Sequence, residues 1–194
     1  MHYPEYAKIN DKLFKINTDF KCAIRCNEIA ENEEINDIER ALAIIYILYG
    51  DEGLDAQEYY SELLEKAKKF LLCGKEPEKK SKHKEPDMDY IEDMDYIEAS
   101  FMSDFNIDLS KEPMHWWKFN KLINGLSNSE MGNCCVLNRV RNIRNFDLKD
   151  IKDKKEREKI IEAKKQVALK KNRKKATKEQ QESANRLLKD LGLI

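Results

Sequence analysis

The sequence predicts a mainly α protein: a multi-helix bundle with a short N-terminal β-hairpin and a long basic C-terminal helix. Three observations carry that expectation. Only 6 Gly and 4 Pro occur in 194 residues, too few for the many tight turns of an all-β chain. Apolar residues recur at i, i+3 and i+4 through most of the chain. Hydrophobic residues make up 41% of it, so a core is within reach although 38% of the residues are charged.

The elements follow in order. Residues 8–18 carry short apolar alternation (Leu13, Phe14, Ile16) interrupted by Asn10-Asp11, the pattern of a small hairpin. Asn17-Thr18-Asp19 offers capping side chains for a first helix from Phe20 to Ala30. A second helix, Ile35 to Tyr49, is apolar on most sides from Ala41 onward, so it is expected to be the enclosed core helix, ended by Gly50 and Gly53. Leu54 to Cys73 reads as a third, with Tyr59, Leu63, Leu64, Ala67, Phe70 and Leu71 on one face. Gly74 to Asp87 has no apolar residue and two of the four prolines, which reads as a flexible charged linker.

Beyond it, Asp-Met-Asp-Tyr-Ile-Glu occurs twice in succession from Asp87; one copy suffices to start a helix, and the other extends the loop. Tyr96 to Phe105 is a short amphipathic helix. Pro113 suits the first position of the next, with Ser110 or Glu112 near its cap, and that helix ends around Gly125. Ser127-Asn128-Ser129-Glu130 matches a capping box for a helix from Met131 to Phe146. A long basic helix is expected from after Leu148 to about Lys175, and Thr177 caps a last one ending in Leu187, Leu188, Leu191, Leu193 and Ile194. The expected division is therefore 1–73 (N-terminal helical half), 74–89 (linker), 90–150 (C-terminal helical half) and 151–194 (basic helix and apolar tail).

Charge is balanced in total, with 36 basic and 37 acidic residues, but segregated along the chain. Glu28 to Glu65 holds twelve acidic residues and one basic one, a net of −11. Lys152 to Lys178 holds thirteen basic and four acidic residues, a net of +9. Such asymmetry suits self-association, acidic segment to basic segment, in a contact that salt would weaken. The basic stretch also suits phosphate backbones. It lacks interleaved aromatics, however, and its Glu156, Glu158 and Glu162 pair internally with lysines, so nucleic acid is not expected as a partner.

No apolar run approaches the roughly 18 residues of a membrane span. The N-terminus shows no signal pattern, and five cysteines, an odd number, point to a reducing compartment and an intracellular protein. Cys22 and Cys26 stand four apart, half of a metal site whose other half is missing, so no metal is expected. No nucleophile motif, phosphate loop, metalloprotease motif or dinucleotide fingerprint is present, no acid–base pair can be assembled, and no cofactor or catalysis is expected. The acidic Asp87–Asp95 stretch lacks the central Gly of an EF-hand loop. Trp116 and Trp117 are consecutive, so one narrow stripe cannot bury both; core packing and an interface remain open for them. The candidate partner-binding residues are Trp116, Trp117, Phe119, Leu187, Leu188 and Leu191.

Five segments carry a resemblance. Asp95-Tyr-Ile-Glu-Ala-Ser-Phe-Met-Ser-Asp-Phe-Asn-Ile-Asp-Leu109, Met114-His-Trp-Trp-Lys-Phe119 and Leu122-Ile-Asn-Gly-Leu126 look like the hallmark of the bacteriophage "gene product fifteen" family. Ile16-Asn-Thr-Asp-Phe20 and Phe70-Leu-Leu-Cys-Gly-Lys75 resemble its N-terminal half, and the match runs over residues 8 to 170. The family belongs to tailed phages and prophages of Gram-positive bacteria, with genes between those of the major tail protein and the tape-measure protein. The resemblance implies a helical tail assembly chaperone in the host cytoplasm, with the tape-measure protein and the major tail protein as partners. The alternatives are a structural tail component retained in the virion and a nucleic-acid-binding protein acting through the basic helix.

Overall fold

The computed structural model describes residues 3–32, 34–76, 86–128, 134–149 and 151–170. The protein is mainly α, with one short antiparallel hairpin at the N-terminus. It divides into two compact units, Met1–Lys80 with Phe105–Leu126, and Ser81–Asp104 with Ser127–Ile194. This grouping differs from the expected division, because the segment carrying the tryptophans folds with the N-terminal residues.

In the first unit, β1 (Tyr6–Ile9) pairs with β2 (Lys12–Lys15), Ala7 opposite Phe14 and Ile9 opposite Lys12. Asn10 takes the positive φ of 51° that a two-residue hairpin turn favours. Ala7, Ile9 and Phe14 are buried while Leu13 points to solvent, as the period of two requires. Asp19 caps α1 (Phe20–Glu31) by accepting from the Lys21 N–H at 2.8 Å. Phe20, Ala23 and Ile24 then bury one face. Asn36 and Glu39 close a reciprocal capping box at the start of α2 (Asp37–Asp55). The Arg40 guanidinium fastens the α1–α2 turn by donating to the carbonyls of Ile29, Asn32 and Ile35, and also pairs with Asp37.

Helical dihedrals in α2 break at Gly50, with φ 65° and ψ −156°, a region essentially confined to glycine. No atom lies within 4 Å of where a Cβ would stand, so the demand is purely conformational. Gly50→Ala should therefore cost about 1–3 kcal/mol. Urea unfolding followed by circular dichroism measures this; an unchanged midpoint would remove the conformational argument.

A 3-10 turn, Gln57–Tyr59, leads into α3 (Tyr60–Leu71), which buries Leu63, Ala67 and Phe70. The Tyr49 hydroxyl donates to the Leu63 carbonyl at 3.1 Å. α3 closes in a Schellman turn: Gly74 N–H to Lys69 O at 2.9 Å and Cys73 N–H to Phe70 O at 3.0 Å, both residues at positive φ.

In the second unit, α4 (Met94–Phe105) buries Ile97, Ser100 and Phe101, and α6 (Val136–Asn145) buries Leu137, Asn138 and Val140. α7 (Lys154–Val167) has no buried residue, but Leu169 just beyond it is buried. Ser100 joins α4 to the start of α6. Its hydroxyl donates to the Tyr96 carbonyl at 2.6 Å and accepts from the Leu137 N–H at 3.1 Å, satisfying a donor that a helix N-terminus otherwise leaves unpaired. Ser100→Ala should cost about 1–3 kcal/mol and speed amide exchange at Leu137. Exchange at Leu137 unchanged from the parent would discount that cap.

Several expected boundaries move. α5 (Trp116–Asn124), in the first unit, begins three residues after Pro113 and is capped by His115 rather than Ser110 or Glu112. Ser110 is occupied with Asp108. Residues 114–116 instead pair with the stretch before α1, through Phe20 N–H to Met114 O and Trp116 N–H to Thr18 O. α6 starts at Val136, not Met131, on a Cys135 cap. Part of the expected capping box, residues 129 and 130, lies outside the described residues, as do 77–85 of the expected linker and the proposed last helix from Thr177.

Candidate partner-binding surfaces

His115, Trp116, Trp117 and Phe119 form a dense aromatic joint within the first unit. The His115 Nδ1 accepts from the Trp117 N–H at 3.0 Å, capping α5, while Nε2 lies 3.0 Å from the Pro4 carbonyl. The ring therefore carries its proton on Nε2. Tyr3 stacks on it at 4.8 Å. Both indoles serve the end of α3: Trp116 Nε1–H donates to Leu71 O and Trp117 Nε1–H to Phe70 O, each at 2.9 Å. Consecutive tryptophans cannot share a stripe, but two neighbouring carbonyls at one helix terminus accommodate both. Gly74 makes room, since a Cβ there would stand 3.0 Å from the Trp117 ring.

Trp116 is 2% exposed and Phe119 0%, and Phe119 stacks between Phe20 at 4.6 Å and Trp116 at 5.8 Å. Of the expected partner-binding residues, these two have their apolar surface packed into the core of the first unit. Trp117 is half-buried and its N–H is already used. Leu187, Leu188 and Leu191 lie outside the described residues.

The helix expected to be enclosed is instead covered on one side only. α2 buries Ile45, Leu48, Tyr49 and Gly53 but leaves the opposite side uncovered within its unit. Ile38 is 73% exposed, Tyr46 54% exposed and Leu42 between them half-buried. At i, i+4 and i+8 these three make one apolar ridge. Exposed Glu31, Glu34, Asp37 and Glu39 surround its N-terminal end. Arg40, the one basic residue between Glu28 and Glu65, has its guanidinium turned onto backbone carbonyls and Asp37. The ridge thus stands in an acidic surface. Near its Tyr46 end an open groove of about 860 Å³ is lined by Lys15, Asp19, Arg25, Tyr46 and Asp51 among others.

In the second unit the doubled hexapeptide takes two conformations. The second copy enters α4 and buries Ile97; the first is a turn whose Ile91 is exposed. Asp89 holds that turn by accepting from the Ile91 and Glu92 N–H groups. Asp93, the first residue of the second copy and 1% exposed, receives a parallel fork from Arg144, two bonds of 2.7 Å. Arg144 also donates to Asp87 O at 2.8 Å and Val167 O at 2.6 Å, binding the turn, α6 and the end of α7 together. Asp87 accepts from Asn145 at 2.6 Å and from Arg141, so this last part of the expected linker is fastened into the unit. The Lys154, Lys155, Arg157 and Lys159 side chains of α7 stay exposed.

A family model described as Bacteriophage Gp15 protein matches residues 3–169. The chain belongs to that family. No curated protein and no solved structure matches it. As a Gp15-family chain it is a phage-related protein, and the match takes in both the aromatic joint and the Asp93–Arg144 clamp.

Chemistry-bearing groups in this Gp15-family chain are held in unreactive states where burial bears on them. Burial pushes the Cys26 thiol up to about 12, with nearby Cys22 adding to it, and pushes Cys73 up to about 11. Burial likewise raises Cys22, so these three are thiols at neutral pH rather than thiolate nucleophiles. Among the described residues no group of three or more His, Cys, Asp or Glu side chains is placed to hold a metal ion, and no helix is long and apolar enough to cross a membrane. The exposure of Ile38 and Tyr46 is hidden in the sequence because a helix apolar on most sides reads as enclosed. The acidic run around the helix was the signal against it, since carboxylates at Asp37, Glu39, Asp51 and Glu52 need water.

Proposed function

We propose that this Gp15-family protein is a non-catalytic tail assembly chaperone, holding the tape-measure protein, and tail-tube subunits with it, in the host cytoplasm until the tube forms. The observation that supports it is the uncovered Ile38–Leu42–Tyr46 ridge in an acidic surface. A long helical client with apolar seams needs such contacts: modest in area, repeated over several copies, and easily displaced. The family's gene position between the tail and tape-measure genes supports the choice of client. Segregated charge supports self-association, acidic 28–65 of one copy meeting basic 152–178 of the next.

Co-expression with the tape-measure protein of the same phage tests the reading. A soluble complex with several copies per client is the expected result, and a client that stays insoluble would overturn it. Purified virions separate the structural alternative, since a chaperone should be missing from them and a tail component present.

A further inference from the structure

The acidic ridge and the chain's own C-terminal segment complement each other. Residues 171–194 lie outside the described residues, and their sequence holds seven basic and three acidic residues, a net of +4. Ala184, Leu187, Leu188 and Leu191 fall at i, i+3, i+4 and i+7, the spacing of a single helical face. Arg186, Lys189 and Asp190 lie among them, so 184–194 carries a net of +1 and the rest of the positive excess lies in 171–183. That face would span about 10 Å at 1.5 Å per residue, and Ile38 to Tyr46 spans about 12 Å by the same rise. The fourteen residues that follow Lys170, up to Ala184, reach at most about 50 Å when extended, enough to meet a neighbouring molecule.

We propose that the Ile38–Leu42–Tyr46 ridge of α2 is the docking site for residues 184–194 of a second copy of this chain, bound as a helix by its Ala184, Leu187, Leu188 and Leu191 face. Charge selects this occupant. Two copies of α2 laid ridge to ridge, in either direction, would bring one set of exposed carboxylates (Asp37, Glu39, Asp51 and Glu52) against another, whereas the tail brings Arg186 and Lys189 beside the single acid Asp190. Ridge and tail are different surfaces on one chain, so the contact is heterologous and propagates from copy to copy. The proposal uses the ridge on which the tail-assembly reading rests, the tail holding it until a client displaces it, but its test needs no phage client.

The full-length chain with p-benzoylphenylalanine in place of Tyr46 is irradiated as a mixture of unlabelled and heavy-nitrogen-labelled protein. Cross-links from position 46 to residues 184–194 that join a heavy to a light chain are expected. Cross-links confined within single chains, cross-links to α2 of the other copy, or no cross-link would each overturn the proposal. Sedimentation supplies the second reading. Ile38→Lys with Tyr46→Lys should weaken self-association at least about tenfold, and Leu187→Asp with Leu191→Asp equally, the scale expected for charged replacement of apolar anchors. Both positions on α2 are exposed, so the first variant should keep the parent's circular dichroism. Unchanged association in either variant, or a parent chain that sediments as a monomer at every concentration, would overturn it.

Discussion

Asp93→Ala should destabilise the second unit by about 3–5 kcal/mol, the cost of stranding one member of a buried ion pair. Its carboxylate accepts both Arg144 bonds at 2.7 Å and the Asp89 N–H at 3.0 Å. With Asp93 gone, the guanidinium keeps only carbonyl partners, Asp87 O and Val167 O, in a site where it is nearly out of water. Arg144→Ala should cost a similar amount, and it also releases the end of α7. The double variant should lose much less than the two single losses combined, because the pair shares one desolvation cost. Urea unfolding of all three chains, with amide exchange across α4 and α6, measures the coupling. Additive losses would mean that the fork contributes nothing as a pair.

Trp116→Ala should cost about 3–5 kcal/mol in the first unit through the cavity it leaves. The ring packs against Phe119, which packs against Phe20, so the void opens between α1, α3 and α5. Trp116→Phe isolates the polar part. It keeps most of the ring but removes the donor to Leu71 O, and should cost about 1–3 kcal/mol. Denaturation followed by Trp117 fluorescence orders the two variants. A loss in Trp116→Phe as large as that in Trp116→Ala would transfer the weight of the site from packing to the hydrogen bond.

Local chemistry was legible before the structure where one side chain acts on its own neighbourhood. Asp19 caps α1 as its sequence position suggests, and Asn10-Asp11 turns the hairpin. What could not be read were choices made by distant partners. Pro113 is a good first residue for a helix, yet residues 114–116 bond to the segment around Thr18–Phe20, and this delays α5 until His115 can cap it. Two consecutive tryptophans are too many for one stripe, but where they go depends on two carbonyls some 45 residues away. α2 failed in the opposite sense: composition measures how apolar a helix is, not how many neighbours arrive to cover it. The Asp93–Arg144 fork joins residues 51 apart and has no signature in spacing at all.

The doubled hexapeptide has a consequence for the gene as well as for the fold. Removing residues 87–92 or removing residues 93–98 leaves one and the same polypeptide, so the single-copy chain has no memory of which repeat was lost. Its lone copy must serve α4, where Ile97 and Asp93 are buried. Ser81 then arrives at the place of Asp87, His83 at that of Asp89 and Pro86 at that of Glu92. Arg141 and Asn145 lose their carboxylate, while the Asp93–Arg144 fork survives. A slip of the copying machinery by eighteen nucleotides would thus loosen the rim of the unit and spare its centre.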